Sequence, residues 1–184
     1  MTKGQFKSFD PQWEKTRAAL LYLSEDAGHP ETPNVYQPGD IAVCVGSIEV
    51  AFYQTIMNLG IPLIHQEKTR YRSLTKPPIR FCVINRQIQD QVYEVFLLTT
   101  YGGATDFESL DEAARRFSMP MGLTKWQESI PGITTVPNIF GQQTSSFLFA
   151  MSTLQQVPPH KVFARVPFSE VERIRRFSIA QKEE

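Results

Sequence analysis

The chain has 184 residues, of which 41% are hydrophobic and 21% are charged, and its 19 Lys and Arg residues balance 19 Asp and Glu residues. This composition is typical of a globular protein and excludes an intrinsically disordered chain. It also excludes a strongly basic protein, so that any affinity for nucleic acid has to come from a local patch of charge. The length suits one domain, and we expect residues 1–184 to form it.

The N-terminal part predicts a helix followed by a buried strand. The stretch "SFDPQWEKTRAALLYLSEDAGHP" favours a helix over 10–27, because Asp10 can cap it and Pro11 fits its first position. A proline-rich connector follows it. The stretch "GDIAVCVG" then predicts a short buried strand at 40–45.

The next segment predicts a helix inserted over 47–60. Apolar residues recur there at the spacing of one helix face, with Phe52, Ile56 and Leu59 expected to be buried. Ser47 is a suitable N-cap, and Gly60 suits the position just after the last turn.

A basic segment, "LIHQEKTRYRSLTKPPIR", comes after this helix. If residues 64–74 are extended, Lys68, Arg70 and Arg72 lie on one face, because side chains alternate along a strand. Two apolar runs follow, "RFCVIN" and "YEVFLLTT". They predict strands at 80–85 and 93–99 that pair as an antiparallel hairpin with a longer loop.

The C-terminal part predicts further short elements. "TDFESLDEAARRFS" favours a short helix in which Ser109 and Glu112 have the spacing of a capping box. Prolines and glycines interrupt residues 118–145, which we interpret as a long structured loop. Strands are predicted at 146–153 and 161–165, and a final helix begins with "SEVERIRRFSI", followed by a frayed tail "AQKEE".

These elements indicate an α+β protein. About five strands and three or four irregularly inserted helices favour a small, curved antiparallel sheet or SH3-like β-barrel with inserted and flanking helices. The helix at 47–60 and the loop at 118–145 would be insertions in it.

The number and spacing of the cysteines and histidines predict no cofactor and no metal site. The two cysteines, Cys44 and Cys82, both lie in apolar stretches, which favours buried thiols over a disulfide or a reactive pair. The three histidines have none of the familiar zinc spacings. His65, near Glu67, is open to two interpretations, a general acid or base and a structural histidine.

Arg80, Thr99 and Thr100 are the candidate catalytic residues. Arg80 precedes one predicted strand and the threonines end its partner, so that all three can lie at one rim of the sheet. An arginine stabilises charge that develops on a phosphate, and a hydroxyl positions a phosphate oxygen. The alternative is structural, because Arg is common at strand edges and Thr favours β-strands.

The basic segment supplies candidate nucleic-acid-binding residues: Lys68, Arg70, Tyr71, Arg72 and Lys76. Cations can follow a phosphate backbone, and a tyrosine ring can stack on a base. The alternative is a solvated basic strand that protects a sheet edge from pairing.

Several segments together resemble the PemK/MazF-like toxin superfamily. "YQPGDIAVCVG" is similar to its opening strand, "KPPIRFCVIN" to its second, and "YEVFLLTTYGG" to the next. "SSFLFAMSTLQQVPPHKVFARVPFSEVERI" is similar to its C-terminal part. The resemblance implies an SH3-like barrel over 36–177 that cleaves single-stranded RNA as an endoribonuclease, with catalytic roles for Arg80 and for Thr99 or Thr100.

A function of a different class stays open beside this one. A non-catalytic SH3-like barrel could mediate protein–protein interaction, with the helix at 47–60 offering an apolar docking face to a protein partner or to a second copy in a homodimer. We expect an intracellular protein, cytoplasmic or nuclear, that does not bind membranes, because no signal peptide opens the chain and no apolar stretch approaches about 20 residues.

Overall fold

The computed structural model describes residues 35–73, 79–104, 108, 110–124, 130–140, 146–159 and 162–183. Within them the strands are β1 (Ile41–Val45), β2 (Ile79–Gln89), β3 (Val92–Thr99), β4 (Ser118–Pro120) and β5 (Phe147–Gln156). The helices are α1 (Ile48–Asn58), α2 (His65–Ser73), α3 (Glu112–Phe117) and α4 (Phe168–Glu183). The predicted helix at 10–27 and the candidate residue Lys76 lie outside the described residues.

The strands form one antiparallel sheet in the order β1-β2-β3-β5-β4. The α+β class and the strands predicted at 40–45, 80–85, 93–99 and 146–153 are confirmed. The sheet is open, so the closed SH3-like barrel is wrong as a description of this fold. Its first and last strands, β1 and β4, do not pair with each other.

An irregular segment, 162–166, covers the free edge of β1. The Ile41 amide donates to the Ala164 carbonyl at 2.9 Å, and the Val166 amide donates to the Gly39 carbonyl at 2.8 Å. The strand predicted at 161–165 is therefore wrong as a regular strand, since this segment forms only isolated bridges at Arg165. Gly39 has a φ of 93°, and a Cβ there would lie 2.3 Å from the Val166 carbonyl oxygen, so this crossing requires glycine.

Both faces of the sheet are buried. One face packs against α4, and its core includes Ile41, Val83, Phe96, Leu98, Leu148 and Ile174. The other face packs against α1, and its core includes Ala42, Cys44, Ala51, Cys82, Leu97 and Phe149. Cys44 and Cys82 are free, buried thiols, as predicted.

Helix α1 confirms the predicted element and its ends, whereas its buried face is rotated from the one we expected. The Ser47 side chain accepts from the Val50 amide, and Gly60 has a φ of 77°. Ala51, Tyr53 and Thr55 are the buried residues of this helix. Phe52 and Ile56 are half-buried and Leu59 is 48% exposed, so the expected burial of these three side chains is wrong.

The predicted extended segment at 64–74 is wrong, because residues 65–73 form helix α2. The carboxylate of Glu67, the third residue of the helix, accepts from the Ile64 amide at 2.8 Å and caps its first turn. In a helix, Lys68 and Arg72 share a face and Arg70 points away from them.

Three other boundaries differ from the predictions. The β2–β3 hairpin closes through the two residues Asp90 and Gln91 instead of a longer loop, because both strands extend beyond their apolar runs. Helix α3 is capped by Asp111, whose side chain accepts from the Ala114 amide at 2.7 Å, and the proposed cap Ser109 lies outside the described residues. Helix α4 continues to Glu183, so most of the predicted frayed tail is helical.

The long loop at 118–145 contains the short strand β4, and Val136 beyond it pairs with Arg165. Residues 125–129 and 141–145 of this loop are outside the described part of the chain. None of the described helices has the length and apolar character needed to cross a membrane.

Candidate functional site

A groove with a volume of ≈ 910 Å³ opens at the end of the sheet. It lies between the start of α1, the start of β2, the end of β3 and helix α3. Its polar and charged lining residues are Ser47, Glu49, Tyr53, Arg70, Arg80, Thr99, Thr100, Tyr101, Asp111, Glu112 and Arg116. Phe52, Phe117 and Phe149 supply aromatic rings to it.

The hairpin register brings Arg80 and Thr99 together. Cys82 pairs with Leu97, and two residues further on the same register sets residue 80 opposite residue 99. Since side chains alternate, Arg80 and Thr99 lie on the face of Cys82 and Leu97, which is the face covered by α1. The three predicted catalytic residues, Arg80, Thr99 and Thr100, therefore all line one groove.

Arg80 is a half-buried cation. Its Nε donates to the Gly46 carbonyl at 3.2 Å, and burial lowers the pKa of its guanidinium group. Six other arginines form ion pairs with carboxylates: Arg70, Arg86, Arg115, Arg165, Arg173 and Arg175. Among the described residues Arg80 forms no such pair, although it is more buried than Arg70, Arg86 and Arg165, whose side chains are exposed.

Thr99 and Tyr101 connect the end of β3 to the groove wall. The Tyr101 amide donates to Thr99 Oγ1 at 3.1 Å, which leaves the Thr99 hydroxyl proton free to be donated. The Tyr101 hydroxyl lies 2.5 Å from Ser118 Oγ, and burial raises the pKa of Tyr101 to about 12. Tyr101 is therefore neutral at physiological pH, and Thr100 beside it is exposed.

The rest of the groove lining combines charges of both signs with aromatic rings. Arg70 forms an ion pair with Glu49, so that these two groups neutralise each other. Arg116 lies 5.2 Å from the centre of the Phe117 ring and donates to the Gln181 carbonyl. The centres of the Phe117 and Phe52 rings are 6.1 Å apart. The groove thus combines Arg80 with aromatic rings and carries little net charge.

The predicted nucleic-acid-binding residues do not form one track. Arg70 lines the groove, whereas Lys68, Tyr71 and Arg72 line a second, separate hollow. The ring of Tyr71 packs edge-on against Tyr53 at 6.0 Å. His65 is exposed at the start of α2 and lines neither cavity, so the acid–base role considered for it has no support in its position.

Sequence reasoning missed the wall formed by Tyr101 and by α3. Asp111 caps the short helix α3, which carries Glu112, Arg116 and Phe117 and is remote along the chain from Arg80. The stretch "TTYGG" contained one indication of this wall. A turn that directly follows the two threonines keeps Tyr101 close to the end of β3. Tyr101 adopts a φ of 48° in this turn.

No family model, no curated protein and no solved structure matches this chain. Within the described residues there is also no group of three or more His, Cys, Asp or Glu side chains that could hold a metal ion. Function therefore has to be inferred from the groove itself.

Proposed function

We propose that this protein binds single-stranded RNA in the groove, with Arg80 contacting a phosphate and the hydroxyls of Thr99 and Thr100 donating to its oxygens. The observation that carries this proposal is the half-buried guanidinium of Arg80, which has no carboxylate partner among the described residues. A buried cation without a counterion costs stability, and an anionic ligand offsets that cost. Arginine is also suited to phosphate, because its planar fork can form two parallel hydrogen bonds.

The rest of the groove favours a nucleotide over a simple anion as its ligand. The half-buried rings of Phe52 and Phe117 line the same groove as the guanidinium, and its volume of ≈ 910 Å³ has room for a base and its sugar phosphate. Aromatic side chains bind unpaired bases by stacking, which is worth about 1–3 kcal/mol per base. A single strand exposes such bases, whereas a duplex does not.

The placement of Arg80 and the two threonines in one groove also supports cleavage of a bound RNA strand. When a ribose 2′-oxygen attacks the adjacent phosphorus and the P–O5′ bond breaks, negative charge increases on the phosphate oxygens. Arg80 and a threonine hydroxyl would stabilise that charge. Glu112, an exposed carboxylate of the groove, can accept the proton that the attacking 2′-hydroxyl loses, and water supplies the proton that the leaving 5′-oxygen gains.

The charges of the groove predict a short RNA contact. Arg70 is neutralised by Glu49, which leaves Arg80 and Arg116 as the groove cations without a carboxylate partner among the described residues. Each phosphate contact with a single strand contributes about −0.7 to the slope of log affinity against log salt concentration. We expect a slope between about −0.7 and −1.5, much smaller than a continuous track of cations would give.

The binding test compares wild type, Arg80→Ala and Arg72→Ala on a fluorescein-labelled RNA of about ten nucleotides at two salt concentrations. Arg80→Ala should weaken binding by about tenfold and reduce the slope by about 0.7. Arg72→Ala is the matched control, because it removes an arginine that lies in the other hollow. Its binding and its slope should equal those of wild type.

A cleavage assay on the same RNA tests the chemical step. Arg80→Ala should lower the cleavage rate by about a hundredfold or more at saturating RNA, because the arginine matters most in the transition state. Wild type that binds and does not cut would reject cleavage and keep RNA binding. Wild type that binds no RNA, or an Arg80→Ala variant that binds as well as wild type, would reject the proposed function.

A further inference from the structure

A second surface lies at the corner between α1 and α2, apart from the groove. A hollow of ≈ 460 Å³ is lined there by Met57, Gly60, Ile61, Pro62, Leu63, Lys68, Tyr71 and Arg72. Among the described residues none lines both the hollow and the groove, so a ligand in one leaves the other open. We call the surface formed by Met57, Leu59, Ile61, Ile64, Lys68 and Arg72 the corner surface.

Four apolar side chains of the corner surface are exposed to solvent although they lie close together in the sequence. Met57 is 41% exposed, Leu59 48%, Ile61 53% and Ile64 62%, and all four lie within eight consecutive residues. Single exposed apolar side chains are ordinary, but clustered ones mark places where a protein or another apolar partner binds.

Helix α2 gives a reason to regard this corner as more than a poorly covered loop. None of its residues is buried, so it adds nothing to the core. It is nevertheless held in place, by the Arg70–Glu49 ion pair and by the contact of Tyr71 with Tyr53. Its position presents Lys68 and Arg72 beside the apolar side chains of the preceding turn.

The charge of the corner surface is of one sign. Lys68 and Arg72 are exposed and line the hollow together, and neither forms an ion pair with a carboxylate among the described residues. The carboxylate of Glu67, the acidic residue of the same helix, accepts a hydrogen bond from the Ile64 amide. Apolar side chains flanked by two free cations complement a segment that carries both apolar and acidic side chains.

We propose that the corner surface is a docking site for an acidic, amphipathic segment of a partner protein. The apolar side chains of that segment would cover Met57, Leu59, Ile61 and Ile64, and its carboxylates would pair with Lys68 and Arg72. This site is independent of RNA binding in the groove, so that either proposal can fail alone.

The test uses a fluorescein-labelled peptide of about 16 residues in which Leu recurs every third or fourth position and Glu fills most of the others. Two matched peptides replace Glu by Lys or Leu by Ser. The full-length chain should bind the Glu/Leu peptide at least about tenfold more tightly than either matched peptide. The variant Lys68→Glu/Arg72→Glu should reverse the preference between the Glu/Leu and Lys/Leu peptides.

Control substitutions separate this surface from general stickiness. Ile61→Ser should weaken binding of the Glu/Leu peptide by at least about fivefold, whereas Ile179→Ser should leave it unchanged. Ile61 and Ile179 are 53% and 56% exposed, so the two substitutions remove similar apolar area. Arg176→Glu, on an exposed part of α4, is the corresponding control for charge.

Three results would overturn the proposal. One is a Glu/Leu peptide that does not bind or that binds no better than the Lys/Leu peptide. Another is an equal effect of Ile61→Ser and Ile179→Ser. The third is wild type that sediments as a dimer and becomes monomeric with Ile61→Ser, because a second copy of the chain would then cover this surface.

Discussion

Tyr101 is the residue that ties the polar groups of the groove together. Its amide fixes Thr99 Oγ1, and its hydroxyl contacts Ser118, a buried residue of β4. The position of the Thr99 hydroxyl, on which the proposed phosphate contact depends, is therefore coupled to a strand at the far edge of the sheet. Replacing Tyr101 by Phe keeps the ring and removes the contact with Ser118.

The burial of Tyr101 predicts a loss of stability at high pH. Its pKa in the folded protein is raised from the ordinary value of 10.0 to about 12, so folding favours the protonated hydroxyl. This contribution is complete below pH 10 and is lost as the pH rises from about 10 to 12, at up to about 1.4 kcal/mol per unit. Urea unfolding between about pH 8.5 and 11 should show a steeper loss for wild type than for Tyr101→Phe. Parallel losses in the two proteins would contradict the buried position of this hydroxyl.

At the scale of single elements, helix α1 decides the shape of the groove, because its first turn forms one wall and its buried face sits on the sheet. Ser47, Glu49 and Phe52 line the groove, while Ala51 and Thr55 face the sheet and are buried. Helix α1 therefore contributes side chains both to the core and to the groove. Part of the face that we expected to pack in the core lines the groove instead.

This division predicts unequal effects along the apolar face of α1. Phe52 is half-buried against Phe117, so Phe52→Ala should lower the free energy of unfolding by about 1.5–3 kcal/mol, less than the 3–5 kcal/mol typical of a fully buried ring. Leu59→Ala should cost less than about 0.7 kcal/mol, because that side chain is 48% exposed. Urea unfolding measures both, with Leu154→Ala, at 49% exposure, as the matched control. Equal losses at Phe52 and Leu59 would show that the helix is rotated from this arrangement.

The elements that sequence predicted correctly are those with local signals. The strands of the hairpin are apolar runs bounded by turns, and their local register places Arg80 near Thr99 without any information on distant contacts. Helix α2 was missed because its residues are mostly polar and show no apolar period, although Glu67 held the signal of an N-terminal cap. The wall at Asp111–Phe117 could not be predicted, because residues 100–110 separate it from the end of β3 and no local signal in the sequence fixes how α3 folds back onto the sheet.

At the scale of the whole molecule, one residue connects the two ends of the open sheet. The backbone of Arg165 pairs with Asp40, just before β1, and exchanges two hydrogen bonds of 2.8 Å with Val136, beyond β4. The chain thus covers the edge of β1 without adding a regular strand. Burying an edge protects its free amide and carbonyl groups from pairing with another chain.

The side chain of Arg165 adds a charge contact to this connection. Its Nε lies 2.9 Å from Asp40 Oδ1, and the two groups form an ion pair without the orientation of a hydrogen bond. The other carboxylate oxygen, Asp40 Oδ2, accepts a hydrogen bond from the Gln37 amide at 2.8 Å. Asp40 is 1% exposed and the Arg165 side chain 64% exposed. The carboxylate is therefore shielded from water, and Arg165 is the cation that compensates it.

We expect Arg165→Ala to lower the free energy of unfolding by about 1–2 kcal/mol, because it leaves a buried carboxylate uncompensated while its backbone hydrogen bonds stay in place. The exposure of Arg165 limits the effect, since water screens its side of the pair. Asp40→Asn removes the charge that needs compensation, so Arg165→Ala should cost less in that background, by at least about 0.5 kcal/mol. A double-mutant cycle in urea unfolding measures this coupling, and Arg176→Ala, which removes an exposed arginine of α4, is the control. If Arg165→Ala costs as much in the Asp40→Asn background as in wild type, the side-chain contact adds no stability, and the backbone pairing alone connects the two ends of the sheet.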